Sequence, residues 1–148
     1  WVNDIYAGNK KLCGILTEAS VDVEQGGLEY AVVGIGLNVQ NVTFPKNVAD
    51  IATSIKLETN ENVSRSLLAA EILNCLEEKL SNITDKSFID EYRRRSNIIG
   101  KRIEITQGEK ITHADCLGID EYGRLLVKTD EGEEKALSSG TIRLYEDK

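Results

Sequence analysis

Gly34 and Gly36 interrupt an otherwise apolar run, Val32-Val33-Gly34-Ile35-Gly36-Leu37-Asn38-Val39. On a strand, residues two apart share a face, so these glycines leave one face without side chains. Strand interiors normally avoid glycine, which has nothing to pack there. A bare strip serves one of two purposes. Something else lies against the backbone, or another strand or helix packs closely, and the residues alone leave both open. A dinucleotide-binding loop is disfavoured: there is no third glycine, and Val39-Gln40-Asn41 follows where a helix would have to begin.

Lys11 is the second residue with chemical potential. It opens a strand leading to Gly14. Simple alternation puts Lys11, Cys13 and Ile15 on one face and Leu12, Gly14 and Leu16 on the other. Its amine then either enters an apolar pocket or is a solvated charge at a strand end. Trp1, Asn3 and Asp4 supply a ring, an amide and a carboxylate at the edge of the same sheet. Arg93, Arg94, Arg95, Lys101 and Arg102 form the basic cluster of an acidic chain. They read as a solvated helix end or as a contact to phosphate or an acidic partner. His113 is the single histidine and reads as a surface residue. Cys13, Cys75 and Cys116 have no metal-ligand spacing and read as buried free thiols of a reducing cytoplasm. No metal site is expected.

The elements that must position these residues follow from periodicity and turn chemistry. Asp4 to Tyr6 and Lys11 to Val21 read as strands joined by a hairpin at Ala7-Gly8-Asn9-Lys10. Glu24-Gln25-Gly26-Gly27 is the next turn. Leu28 to Val39 is nearly continuously apolar, which predicts a central strand buried on both faces. Asn47 to Ile55 reads as a short helix and Glu58 to Asn62 as a polar loop. Ser64 caps the strongest helix, to Leu80, with Leu68, Ile72, Leu76 and Leu80 spaced four apart. A helix over Asp85 to Arg95 ends in three arginines.

After Gly100 short runs alternate with glycine turns: Arg102 to Thr106, Ile111 to Ile119, Leu125 to Thr129, Lys135 to Leu137 and Thr141 to Leu144. Five short strands of this kind predict a small β-barrel. The domain boundary falls near Asn97 to Gly100.

Composition bounds the answer. The 148 residues are 41% hydrophobic and 29% charged, enough for a packed core. No apolar run is long enough for a membrane helix, and no secretory signal is expected, since Trp1-Val2-Asn3-Asp4 has neither a basic nor an apolar leader pattern. Eighteen basic and 25 acidic side chains give a net charge of −7. Such a chain repels phosphate backbones, so no nucleic-acid or membrane partner is expected. The chain has no methionine, not even at position 1, and is expected to be a fragment of a longer protein.

Three segments, in this order and spacing, resemble the biotin protein ligase family. Trp1-Val2-Asn3-Asp4-Ile5-Tyr6 resembles its Lys-Trp-Pro-Asn-Asp-hydrophobic motif. Lys11-Leu12-Cys13-Gly14-Ile15-Leu16-Thr17-Glu18 resembles its lysine-bearing strand, and Val33-Gly34-Ile35-Gly36-Leu37-Asn38-Val39 its glycine-rich strand. Asn97 to Leu144 resembles the SH3-like C-terminal domain. The resemblance implies an α+β fold. Residues 1–96 would be the C-terminal part of a class II tRNA synthetase-like catalytic domain, with a mixed sheet and helices. Residues 97–148 would be the SH3-like β-barrel.

The activity it implies has two steps. Biotin and MgATP give biotinyl-5′-AMP and pyrophosphate; the biotinyl group then passes to a lysine of a biotin carboxyl carrier protein. By resemblance Lys11 contacts biotin and stabilises charge in the transition state. Gly34 and Gly36 floor the biotin site, and Asn38 contacts ATP. Asn3 and Asp4 position phosphate, Mg²⁺ or the incoming amine. ATP, Mg²⁺ and biotin enter as substrates.

There are departures from the family pattern. Val2 replaces the usual proline, and the lysine before the tryptophan, the Gly-Arg-Gly-Arg-type loop and the upstream biotin-contacting strand are not in the sequence. The fragment alone is therefore expected to be inactive. Two alternatives remain: a lipoate-type ligase, and the dimerisation or corepressor module of a biotin-dependent repressor, a homodimer through the catalytic-domain sheet.

Overall fold

The computed structural model of the chain describes residues 1–22, 24 and 26–145. The fold is α+β and comprises two sheets and three helices among the described residues. It divides into two compact units. One is Asn3–Glu78; the other joins Trp1–Val2 to the chain from Lys79 onward. The boundary expected near residue 97 therefore lies later in the chain than the contact boundary.

The first unit is built on β1 (Asp4–Ala7), β2 (Lys10–Val21) and β3 (Leu28–Leu37), antiparallel in that order. The β1–β2 hairpin turns on Gly8 and Asn9, with Gly8 at φ 58°, the left-handed region that only glycine enters without strain. The turn before β3 is closed by Gly26 N–H donating to Asp22 O and Asp22 N–H to Gly27 O. Gln25, within that predicted turn, lies outside the described residues.

β3 does not have the burial its composition predicts. It is an edge strand, paired on one side only, and Tyr30, Val32, Val33 and Ile35 are exposed. A continuous apolar run marks a strand that something can cover; in this unit no described element covers it.

The helices also shift. Residues 47–51 form turns rather than a helix, and α1 is Ile55–Thr59, its last two residues falling where a loop was expected. Ser54 is the reason: its hydroxyl accepts from Leu57 N–H at 3.2 Å and starts the helix there. Asn60, left-handed at φ 60°, ends it. α2 spans Arg65–Leu80 and is capped by Ser64, which accepts from Leu67 N–H. Its predicted stripe at Leu68, Ile72 and Leu76 is half-buried, but Leu80 is exposed. Cys75 is also exposed, against expectation, because it lies off that stripe; Cys13 and Cys116 are buried as expected, and all three thiols are free.

The second unit holds α3 (Phe88–Arg95) and five antiparallel strands: β4 (Arg102–Gln107), β5 (Lys110–Ile119), β6 (Leu125–Thr129), β7 (Glu134–Leu137) and β8 (Thr141–Leu144). Their order is β7-β6-β5-β4-β8. The five predicted runs are all strands. Among the described residues β7 and β8 do not pair, so the five strands of the expected small barrel form a sheet that is not closed.

Alternation supplies the core of this unit: Ile103 and Ile105, Ala114 and Cys116, Leu125 and Val127, joined by Ile98 and Ile119. A bulge between Cys116 and Gly118 shifts the phase, exposing Leu117 and turning Ile119 inward. The expected 97–148 domain ends in residues 146–148, which lie outside the described residues.

Candidate functional site

The chemistry predicted for the first strands depends on which face Lys11 occupies. In β1–β2 pairing, Ile5 faces Cys13 while Tyr6 faces Lys11, so Leu12 is an extra residue. This bulge reverses the alternation. Lys11 does not share a face with Cys13 and Ile15. It lies over Gly14, where an added Cβ would meet Lys11 Cε and Nζ at 3.3 Å. Sequence alternation could not show this, because a bulge in a short strand leaves no signature in residue type.

The same face carries the rest of the site. Directly opposed residues of antiparallel strands share a face. Asp4 opposes Gly14, and Gly14 opposes Gly36; the next row opposes Leu16 to Gly34. Three glycines on two adjacent strands thus leave their part of this face bare, with Leu16 beside Gly34 and with Lys11 and Asp4 at the other end. Lys11 Nζ and Asp4 Oδ1 are 2.8 Å apart, and their side chains retain 44% and 32% exposure, so the pair is open to a ligand. A Cβ on Gly34 or Gly36 would meet only a cross-strand carbonyl oxygen, at 3.7 and 3.6 Å. Those are ordinary contacts. Among the described residues no side chain comes within 4 Å of a Cβ placed at Gly34 or Gly36, so the strip is open there in this chain.

Cys13 sits on the opposite face and is buried. Burial pushes its thiol above the usual range, Asp4 adds to that and Lys11 opposes it. A thiol held protonated is a packing group rather than a nucleophile.

Asn3 is exposed, and its carbonyl accepts from Ile15 N–H at 2.6 Å. Asn38 follows β3 and is held by its backbone: its N–H donates to Leu12 O and its carbonyl accepts from Ile55 N–H, both at 3.0 Å. Both amides are thus fixed in position with their side chains available.

Trp1, by contrast, is structural. Its ring packs against the core of the second unit and its indole N–H donates to Gly123 O at 2.8 Å. The arginines of the basic cluster are also accounted for within the chain. Arg93 pairs with Asp90, Arg94 and Arg95 with Glu91, and Arg102 with Asp115 and Asp130. Glu91 is held below the usual carboxylate range by those arginine hydrogen bonds. The solvated-helix-end reading is therefore the one these pairs support. His113 stands 3.6 Å from Glu104 and beside the Tyr145 ring, far in sequence from any of the site residues.

Two features had no sequence signal. One is a groove of about 610 Å³ in the second unit, lined by Val2, Ile83, Phe88, Ile89, Tyr92 and Tyr122 among others. The other is the segment Ile51–Thr53, which bonds to the backbone of Lys11 on both sides. Among the described residues no three His, Cys, Asp or Glu side chains gather to hold a metal ion, and no helix is long and apolar enough to cross a membrane.

The sequence profile of the biotin protein ligase C terminal domain matches residues 98–145. The bifunctional ligase/repressor BirA of Bacillus spizizenii is 32% identical over 144 residues, covering 94% of this chain and 44% of that protein. The biotin–[acetyl-CoA-carboxylase] ligase of Mycobacterium tuberculosis is 30% identical, covering 96% and 51%. The apo biotin protein ligase of Aquifex aeolicus superposes with a TM-score of 0.85 at 27% identity, covering 98% of this chain and 64% of that one.

The chain belongs to the biotin protein ligase family. It spans about half the length of the curated relatives it matches. The Aquifex biotin protein ligase in complex with biotin and ATP is also similar, with a TM-score of 0.81 and 27% identity. A biotin protein ligase fold therefore extends over nearly all of the chain, including the glycine floor and Lys11.

Proposed function

We propose that this chain forms part of the catalytic apparatus of a biotin protein ligase, with residues 1–96 belonging to its catalytic domain and 97–148 forming its SH3-like domain. The observation that carries this reading is the Lys11–Asp4 pair at the end of an open floor of Gly14, Gly34 and Gly36. A flat, nearly uncharged ring system lies on bare backbone; the carboxylate at the end of its tail reaches the cation.

In the first step the biotin carboxylate oxygen attacks the α-phosphorus of ATP. A new O–P bond forms, the bond to the β-phosphate oxygen breaks, and pyrophosphate leaves. Two anions must approach, and Lys11 offsets that repulsion. Asp4 holds the ammonium over Gly14 until the substrate anions take it over. Asn3 and Asn38 contact the nucleotide. Mg²⁺ travels with the ATP phosphates, and Asp4 is the carboxylate beside them. In the second step a lysine amine of the carrier protein attacks the acyl carbon, the amide forms, AMP leaves and the amine releases its proton. The 148-residue chain alone turns over little or nothing, because much of what its relatives span is not in it.

Three free cysteines favour a reducing cytoplasm. Relatives named bifunctional ligase/repressor motivate a second reading, a biotin-responsive dimer. The free edge of β3, with its exposed apolar side chains, is where a second copy would pair. Sedimentation with and without biotin tests that directly, and an unchanged monomer would rule it out.

The enzyme reading is tested by pyrophosphate exchange in the complete enzyme, with biotin and with lipoate as the acid. Exchange with biotin alone is expected. Lys11→Ala should lower it on the order of 100- to 1000-fold, the usual cost of removing a group that stabilises transition-state charge. Unchanged exchange would remove Lys11 from the mechanism; exchange with lipoate only would change the substrate.

A further inference from the structure

Thr53 and Ser54 are polar, yet they retain only 2% and 0% of their exposure. Neither lies on the glycine floor. Their surroundings show what they do. Lys11 N–H donates to Ile51 O at 2.7 Å, and Thr53 N–H donates to Lys11 O at 2.9 Å. The pairing is a single parallel bridge, Lys11 to Ala52, in a sheet otherwise antiparallel. Both backbone groups of Lys11 are therefore engaged by one short segment.

That segment has no ladder of its own to hold it. A strand of several residues is kept in register by successive bonds, but a lone bridge is not. Side chains take over this task. Thr53 Oγ1 donates to Glu58 Oε1 at 2.5 Å, tying the bridge to α1. Ser54 Oγ donates to Asn41 O at 2.5 Å while accepting from Leu57 N–H. The next two amides, of Ile55 and Lys56, donate to the carbonyls of Asn38 and Val39. One short segment, anchored by two buried hydroxyls, thus links the backbone of Lys11 to that of Asn38.

We propose that Thr53 and Ser54 are positioning residues, a brace that fixes where Lys11 leaves the bulge of β2 and sets it relative to Asn38. The need for a brace follows from the bulge. Leu12 breaks the β1–β2 ladder next to Lys11, so the ladder alone does not define where the lysine points. The inference rests on the biotin ligase reading for what Lys11 binds, but not for the brace itself.

Two measurements separate the parts. In the complete enzyme, biotin dissociation constants are compared for wild type, Lys11→Gln, Thr53→Val, Thr53→Ser and the double variant Lys11→Gln/Thr53→Val. Thr53→Val keeps the shape and removes the hydroxyl; Thr53→Ser keeps the hydroxyl. We expect Thr53→Val to weaken biotin binding about tenfold, Thr53→Ser to restore it, and Thr53→Val to add less than about twofold once Lys11 is already Gln. A merely structural role lowers the amount of competent protein, not its affinity. Binding by Thr53→Val equal to wild type, or an undiminished loss in the Lys11→Gln background, overturns the proposal. Ser54→Ala is measured in the same way, so that the test survives if one variant does not fold.

The second measurement needs no ligand. Hydrogen exchange at the Lys11 and Thr53 amides of the 148-residue chain should accelerate in Thr53→Val and not in Thr53→Ser. Unchanged exchange overturns the brace whatever the ligand. Accelerated exchange in a complete enzyme that binds no biotin keeps the brace and overturns the reading of the site.

Discussion

The two sheets use similar residues and alternation but treat them differently. In the five-stranded sheet the alternating apolar positions converge, and Ile103, Leu125 and Val127 are almost fully buried. In the three-stranded sheet Val32, Val33 and Ile35 face outward, and among the described residues of that unit only Cys13 and Val39 join the buried apolar side chains. Alternation specifies a strand and its faces; it does not specify what covers them. The first sheet presents a surface and the second holds itself together.

Breaking the second sheet should be costly and breaking the first should not. Leu125→Ala removes a fully buried side chain and should destabilise its unit by about 2–5 kcal/mol. Ile35→Ala, on an exposed strand, should change stability by less than about 0.5 kcal/mol. Chemical denaturation of both variants checks this. Equal losses would mean that β3 is covered after all.

Gly36→Ala sharpens the contrast within the first sheet. The added methyl has room, with the nearest atom Gly14 O at 3.6 Å, so stability should hold or rise by up to about 0.5–1 kcal/mol. The same methyl lies on the proposed ligand floor and should weaken biotin binding about tenfold, since it lifts a flat ring off the backbone. Calorimetry with biotin in the complete enzyme reads the affinity. Lost stability with unchanged binding would reverse the assignment of the floor.

The smallest effect is a pH dependence in the second sheet. Burial raises the Asp120 carboxyl, but the backbone N–H groups of Arg124 and Tyr122 and the Arg124 side chain together bring it below the usual carboxylate value. A lowered folded-state value favours the charged, folded form. Its contribution is present above the unfolded carboxylate pKa of about 3.9 and is lost as pH falls through the folded value. Asp120→Asn should therefore melt slightly below wild type at pH 7, with the gap narrowing below about pH 4. A constant gap would show that the loop is held by shape rather than charge.

Much of this was readable from residue types. The Gly8-Asn9 turn, the long strand after it, the Ser64-capped helix and all five later strands follow from local chemistry, and local chemistry is what a sequence displays. The misreadings share a cause. The helix expected at Asn47 to Ile55 starts later because Ser54 finds Asn41 O and Leu57 N–H, partners that only folding brings together. The apolar run of β3, expected to be buried on both faces, is an edge strand with exposed side chains, because strand neighbours too are set only by folding.

For the site the division is the same. The residue types alone determined that a lysine, a carboxylate and a side-chain-free strip exist in this protein, since covalent structure sets charge and the absence of a Cβ. Their placement on one face was decided only by tertiary structure. Simple counting puts Lys11 opposite Gly14, and one extra residue at Leu12 brings them together. A bulge is a property of the pairing between two strands, so neither strand's sequence contains it.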